Sequence, residues 1–215
     1  MSKLHLNILD DRRRALLPVL KELPRGGVLG GGTALALFLG HRRSYDFDFF
    51  YTEPIPKTFL LRVKKLFGKR LSGVTIDTTD ELTVELDGEI KLTLLHFPFA
   101  PLYPTKRLTG NPVLFNPRDL ASNKAYAIGR RGTWRDYVDM HAWLSTDHTL
   151  ASVIRDTEKR FDGAFSSRLF LEQLTYTKDL GPFVVDFLDD FQMSQRVIEA
   201  NLSQAVSEYL EKNLS

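Results

Sequence analysis

The sequence predicts an α+β fold, because its strand signals and its helix signals are segregated along the chain. Strand-like segments lie before about residue 115 of the 215, and the later periodicity is helical. Strands followed by a run of helices are typical of α+β folds, whereas doubly wound sheets alternate the two. We therefore expect an α/β core over residues 1–115 and a helical domain over residues 116–215.

The elements of the first half follow from apolar periodicity and from turn residues. Residues 10–23 form an amphipathic pattern in which Pro18 predicts a kink or a late start. Residues 33–39 are apolar, with Thr33 as a candidate N-cap and Gly40 as the residue that ends the helix. The other expected elements are a helix over residues 58–67 and strands over residues 28–29, 45–51, 74–77, 81–86 and 90–97.

The last two strands form a hairpin whose register decides which side chains are buried. A two-residue turn would pair Val84 with Lys91 and would mix apolar and polar side chains on one face. Pairing Val84 with Leu92 restores an apolar face. This register requires a three-residue connection at residues 87–89, or a bulge.

The second half reads as helices after a proline-rich loop. Residues 98–117 contain five prolines. Asp119 or Ser122 is expected to cap the first helix. The predicted helices cover residues 117–128, 135–144, 150–161, 166–174 and 192–212.

Composition narrows the class of protein. There are no cysteines, which excludes disulfides, zinc thiolates and thiol catalysis. No apolar run approaches the ~20 residues that cross a bilayer, and the N-terminus lacks the apolar region of a signal peptide. We therefore expect a cytoplasmic protein with no membrane association. The net charge of +2 is too small to argue for nucleic-acid binding by itself.

The densest motif is LGGGTALALFLGHRRSYDFDFFY, residues 29–51. A glycine-rich turn that leads into a helix presents free backbone N–H groups to an anion. On the strand that follows, Asp46 and Asp48 are two residues apart, so their carboxylates point the same way. Two neighbouring carboxylates resist joint ionisation unless a cation lies between them, and their oxygens suit Mg²⁺. The motif therefore predicts a phosphate site beside a metal site.

A second motif, DLASNKAYAIGRRGTWRDYVDMHAWL, occupies residues 119–144. Small residues around Lys124 would let its ammonium group approach a phosphate. Asp136 and Asp139 are three apart and share a helix face.

Together the two motifs resemble the AbiEii/AbiGii family of nucleotidyltransferase toxins, within the polymerase-β-like superfamily. The resemblance is strong over residues 28–51 and 117–144, and nothing specific is recognised after about residue 150. It implies a nucleotidyltransferase core with a mixed sheet, whose active-site cleft is closed by the helical domain. It also implies transfer of a nucleotide from an NTP to an acceptor, with Mg²⁺ or Mn²⁺ as cofactor. The resemblance further implies that the acceptor is RNA or tRNA and that the partner is an antitoxin.

The resemblance carries over to individual residues. Asp46 and Asp48 match the metal-binding carboxylates, and Lys124 matches the lysine that reaches the phosphates. Asp139 is a further catalytic candidate. The residues expected to bind the nucleotide are Gly31, Gly32, Thr33, Arg43, Ser44, Arg131 and Asp136.

One departure concerns the third carboxylate that related enzymes carry on a neighbouring strand. The corresponding position here is near Thr93, which is a poor base and a poor metal ligand. Glu85, which shares a face with Thr93 in the three-residue register, is one substitute, and Asp139 is another.

Two other functions remain open from the sequence. The acceptor could be a small molecule, such as an antibiotic hydroxyl. Alternatively, because of Thr93, the chain could be a catalytically weakened nucleotide-binding or interaction module.

Overall fold

The computed structural model describes residues 4–107, 109–188 and 191–213, with the side chain of Arg131 excepted. Within these residues, five strands form one mixed sheet in the order β1-β2-β5-β4-β3. Strand β2 runs parallel to β5, and the other neighbours are antiparallel. The strands are β1 (Val28–Leu29), β2 (Phe47–Tyr51), β3 (Leu71–Asp77), β4 (Glu81–Leu86) and β5 (Ile90–His96).

Helices flank the sheet and make up the second half of the described chain, so the α+β prediction is confirmed. The predicted helix over residues 10–23 is divided into two short helices, and Pro18 lies in the first turn of the second. The helices are α1 (Asp11–Arg14), α2 (Leu17–Leu20), α3 (Gly31–Leu39), α4 (Thr58–Phe67), α5 (Pro117–Arg131), α6 (Trp134–Leu144), α7 (Leu150–Phe161), α8 (Ser167–Thr175) and α9 (Gln195–Asn213).

The β4–β5 hairpin has the predicted register. Val84 pairs with Leu92, and the connection comprises residues 87–89. Asp87 and Gly88 adopt φ angles of 54° and 77°, which lets so short a loop close. The buried apolar face therefore decided the register, as expected from the pattern.

The two faces of the sheet differ in character. One face carries fully buried apolar side chains, including Phe47, Val84 and Leu92. On the other face, Asp48 of β2 lies beside Thr93 of β5 in the parallel register. The apolar face forms the core, and the polar face is where the predicted site residues of the sheet lie.

The sheet and the helices share one continuous apolar core, because the segment before α5 returns to β1. The Leu29 N–H donates to the Val113 carbonyl at 2.7 Å, and the Phe115 N–H donates to the Leu29 carbonyl at 3.1 Å. The change at residue 115 is thus a change of secondary structure over a common core. Its status as a domain boundary stays a prediction.

The predicted caps of α5 are wrong. Asn116 is the N-cap, and its side chain accepts from the Arg118 N–H. The Asp119 carboxylate instead accepts from the Leu102 and Tyr103 N–H groups of the proline-rich loop. The Ser122 hydroxyl donates to the Arg118 carbonyl within the helix. No helix in the described part of the chain is long and apolar enough to cross a membrane.

Candidate functional site

The glycine-rich turn is pressed against the carboxylate of Asp48. Gly31 has φ +62°, and a Cβ at this position would lie 2.3 Å from Asp48 Oδ2. The Gly30 N–H donates to the Asp48 carbonyl at 2.8 Å. Only glycine fits a left-handed backbone in such close contact. The sequence therefore places the N-terminus of α3 directly beside the acidic strand.

Helix α3 begins two residues earlier than predicted, so Thr33 is not its N-cap. Gly30 occupies that position, and Gly40, with φ +68°, ends the helix as expected. The buried Thr33 hydroxyl donates to the Asp46 carbonyl, and the Ser44 hydroxyl lies 2.6 Å from Thr33 Oγ1. These two hydroxyls fasten the start of β2 to α3. Their expected role as nucleotide contacts stays a prediction.

Within the described part of the chain, no cationic side chain contacts the carboxylates of Asp46 and Asp48. Asp48 lies within β2, and Asp46 lies one residue before the strand begins. Among the described residues, neither carboxylate has a salt-bridge or side-chain hydrogen-bond partner, unlike most half-buried acids. Burial, and then the charge of Asp46, raises the pKa of Asp48. An external cation would relieve this repulsion.

The donor set at this position fits a hard divalent ion. The two side chains offer only oxygen, which Mg²⁺ and Mn²⁺ prefer. The described residues contain no group of three or more metal-ligating side chains. Two carboxylates completed by substrate phosphates and water are a usual arrangement for Mg²⁺.

The second motif forms a fully paired charge cluster. Lys124 Nζ lies 2.7 Å from Asp136 Oδ1 and 2.7 Å from Asp139 Oδ2. Asp136 Oδ2 also accepts from the Thr133 N–H and hydroxyl, which caps α6. Burial alone would lower the pKa of Lys124, but the charges of the two aspartates raise it. Lys124 is therefore a buried ammonium that is held in its charged form.

Arg42 is the site residue that sequence reasoning missed. Its Nε and Nη2 lie 2.7 and 2.9 Å from the two oxygens of Asp139. His41 Nε2 lies 2.7 Å from Asp139 Oδ1. A Cβ at Gly32 would approach Arg42 Nη2 to 2.2 Å, so the same guanidinium also borders the glycine turn.

Arg43, which the sequence favoured as a nucleotide contact, is exposed, and its Nε lies 3.6 Å from Asp186 Oδ2. Its role at the nucleotide stays a prediction. In extended backbone, alternate side chains point to opposite sides. Counting back in twos from Asp48 through Asp46 and Ser44 reaches Arg42, so the signal was present. The other predicted arginine, Arg131, ends α5, and its side chain lies outside the described structure.

The geometry does not favour Asp139 as a base. It is completely buried, and both of its oxygens contact cations. Burial would raise the pKa of Asp139, but Arg42 and Lys124 hold it well below its ordinary value. A carboxylate in this state is a weak proton acceptor, and it is well suited to hold the two cations in place.

Thr93 lies where the third carboxylate was expected, directly beside Asp48. Glu85 pairs with Lys91, two residues along the hairpin from the Thr83–Thr93 pair and on the same face. The carboxylate joined to Thr93 by hydrogen bonds is Glu81, which the sequence did not single out. The Thr83 hydroxyl lies 2.5 Å from Glu81 Oε1 and 3.4 Å from Thr93 Oγ1.

Comparison with known proteins places this geometry in a family. Residues 19–212 match a family described as nucleotidyl transferase AbiEii toxins of type IV toxin–antitoxin systems. An uncharacterized protein of Aquifex aeolicus is 30% identical over 192 residues, which are 85% of this chain and 87% of that protein.

Solved structures share the fold. MenT4, a nucleotidyltransferase toxin of Mycobacterium tuberculosis, is 20% identical with a TM-score of 0.61 over 89% of this chain and 79% of its own. A candidate nucleotidyltransferase of Helicobacter pylori is 22% identical with a TM-score of 0.55 over 97% and 95%. At these identities the structural likeness supports the fold alone.

Proposed function

The chain belongs to the AbiEii family of nucleotidyltransferase toxins, and on this premise we propose that it transfers a nucleoside monophosphate from an NTP to RNA. We propose tRNA as a candidate acceptor, the cytoplasm as the place of action, and a cognate antitoxin as the restraint. The observation that carries the proposal is the unpaired Asp46–Asp48 pair, packed against a glycine turn at a helix N-terminus.

We propose that the triphosphate lies between the N-terminus of α3 and Lys124. The first N–H groups of a helix are free to donate, and the helix dipole favours negative charge there. Lys124 has three N–H bonds, of which Asp136 and Asp139 take two, so one remains for a phosphate oxygen. Both donors are fixed before substrate arrives, as effective electrostatic stabilisation requires.

Asp46 and Asp48 would hold Mg²⁺ or Mn²⁺. Such an ion, when bound, neutralises charge on the reacting phosphate and lowers the pKa of the attacking hydroxyl. The chain's own contribution is to leave the two carboxylates without a cationic contact among the described residues. Thr33 and Ser44 support this by fastening the backbone of Asp46 to α3.

Asp139 is proposed as a positioning residue. By contacting Arg42 and Lys124 together, it fixes the helical wall of the cleft relative to the glycine turn. Asp136 supports Lys124 from the other side while capping α6.

The test is a labelling reaction with the purified protein, Mg²⁺, total RNA and each α-labelled NTP in turn. We expect label on an RNA band and a loss on the order of 10³-fold in Asp48→Asn, because a catalytic metal contributes several kcal/mol. Asp147→Asn is the matched control, since Asp147 is an exposed residue that follows α6.

Two results would contradict the proposal. Label that appears only on a small-molecule acceptor would indicate the antibiotic-type function. NTP binding without any incorporation would indicate the weakened module, which Thr93 beside Asp48 makes a specific alternative.

A further inference from the structure

A second concave region adjoins the candidate site and is lined by arginines. This arginine-lined cavity, of about 530 Å³, is bordered by Arg42, Arg43, Tyr45, Arg135 and Asp186. It lies between the segment before β2, the first turn of α6 and residues 182–186. Arg42 also borders the glycine turn, and Arg43 is one of the residues that the sequence assigned to the nucleotide.

The arginine-lined cavity shares one side chain, Arg42, with the candidate site. Arg42 lines the cavity and also borders Gly32 and Asp139. Arg135, in the first turn of α6, also lines the cavity. A group bound in the cavity would therefore lie beside a side chain that also borders the glycine turn.

The charges that face the cavity are poorly compensated. Arg135 is exposed, and no acidic partner for it exists within the described residues. Arg43 has one carboxylate nearby, that of Asp186, with 3.6 Å between Nε and Oδ2. Both of these side chains are about half exposed, at 43% and 50%. Arg42 is already paired with Asp139, so Arg43 and Arg135 share one facing carboxylate, that of Asp186.

Asp186 occupies the position that a ligand anion would take. Residues 186–188 pair antiparallel with residues 41–43, with the Arg43 N–H donating to the Asp186 carbonyl at 2.8 Å. This pairing brings the Asp186 carboxylate to the Tyr45 hydroxyl, which donates to it. A guanidinium and a hydroxyl that converge on one acceptor oxygen form the type of site that binds a phosphate oxygen.

We propose that the arginine-lined cavity binds a backbone phosphate of the RNA acceptor, next to its reacting hydroxyl, and that Asp186 is the internal anion that this phosphate displaces. The inference rests on the proposed function. A single-stranded RNA end fits because its phosphodiester is an anion with oxygens for Arg43, Arg135 and Tyr45. The triphosphate is assigned to the glycine turn and Lys124, so the cavity is free for the acceptor.

The experiment measures binding of a short, fluorescent, single-stranded oligoribonucleotide by anisotropy across a KCl series. Arg135→Ala and Arg43→Ala should each raise the Kd about tenfold and reduce the slope of log Kd against log salt by about 0.7, the value for one phosphate contact. Asp186→Asn should lower the Kd, since it removes the competing charge. Arg168→Ala is the charge-matched control, because Arg168 is an exposed residue of α8.

The outcomes separate this inference from the proposed function. If the protein labels RNA but Arg135→Ala and Arg43→Ala behave like Arg168→Ala, the inference is overturned and the proposed function stands. A rise in the KM for NTP, with RNA affinity unchanged, would assign the cavity to the nucleotide and also overturn it. If RNA is bound with the expected pattern but never labelled, the cavity is an RNA site and the transferase proposal is what fails.

Discussion

The sheet and the helical half place aspartate side chains in opposite electrostatic environments. At strand β2, Asp46 and Asp48 contact no cation among the described residues, and burial with repulsion from Asp46 raises the pKa of Asp48. In α6, Asp139 is more deeply buried, yet three cationic or polar groups surround it and its pKa is lowered. An aspartate whose charge is neutralised within the fold has a structural role. An aspartate without such a partner can bind an external cation.

The largest expected effect comes from removing the compensated aspartate. Asp139→Ala would leave Arg42 and Lys124 buried without their shared partner, at a cost of about 3–5 kcal/mol in the free energy of unfolding. Urea denaturation measures it, with the exposed Asp147→Ala as control. A decrease in the free energy of unfolding below about 1 kcal/mol would show that Asp139 does not neutralise Arg42 and Lys124 in the fold.

A smaller effect is expected from the turn that presses on the uncompensated pair. Gly31→Ala puts a side chain at φ +62° and into the space of Asp48 Oδ2, which costs about 1–2 kcal/mol of stability. Because Asp48 must move, nucleotide transfer should fall much further than stability does. Gly163→Ala, where an added Cβ meets nothing within 4 Å, is the control. Unchanged nucleotide transfer in Gly31→Ala would show that the glycine turn does not contribute to the active site.

The smallest expected effect is that of Mg²⁺ on the stability of the free protein. At a concentration about five times its Kd, Mg²⁺ should stabilise the protein by about 1 kcal/mol, or a few degrees in Tm. Asp48→Asn should abolish this response. A Tm that responds equally in the variant would place the ion elsewhere.

Asp48 and Asp139 should affect the pH dependence of folding stability in opposite directions. The raised pKa of Asp48 means that its ionisation destabilises the fold above that pKa, and the penalty is relieved as the pH falls through it. The lowered pKa of Asp139 gives the reverse, with stability present above the ordinary aspartate pKa and lost as the pH falls towards the folded value. Asp48→Asn should therefore gain most over the wild type at neutral pH, and this advantage should shrink on acidification.

The sequence predicted what depends on local periodicity. The hairpin register followed from keeping Val84 and Leu92 on one face, and the end of α3 followed from Gly40. Helix α5 continues three residues beyond its predicted end. The prediction that the two motifs lie close together came from the family resemblance and not from the pattern of residues.

The sequence could not predict which polar side chains pair with other groups inside the fold. Nothing local indicates that Asp139 contacts Arg42, 97 positions away, or that Asp119 binds the proline-rich loop. Thr33 looked like a cap because threonine favours that position, but a glycine turn had already begun the helix. Long-range pairing of buried charges depends on tertiary structure, and composition alone does not contain it.

The contact between Arg42 and Asp139 also has a consequence for the order in which the protein is made. A ribosome synthesises Arg42 early, long before the carboxylate that must neutralise it. Until α6 has emerged, the buried position of Arg42 has no counter-charge, and Lys124 has neither of its aspartates. The paired charge cluster of Arg42, Lys124 and Asp139 therefore forms only after α6 has been synthesised.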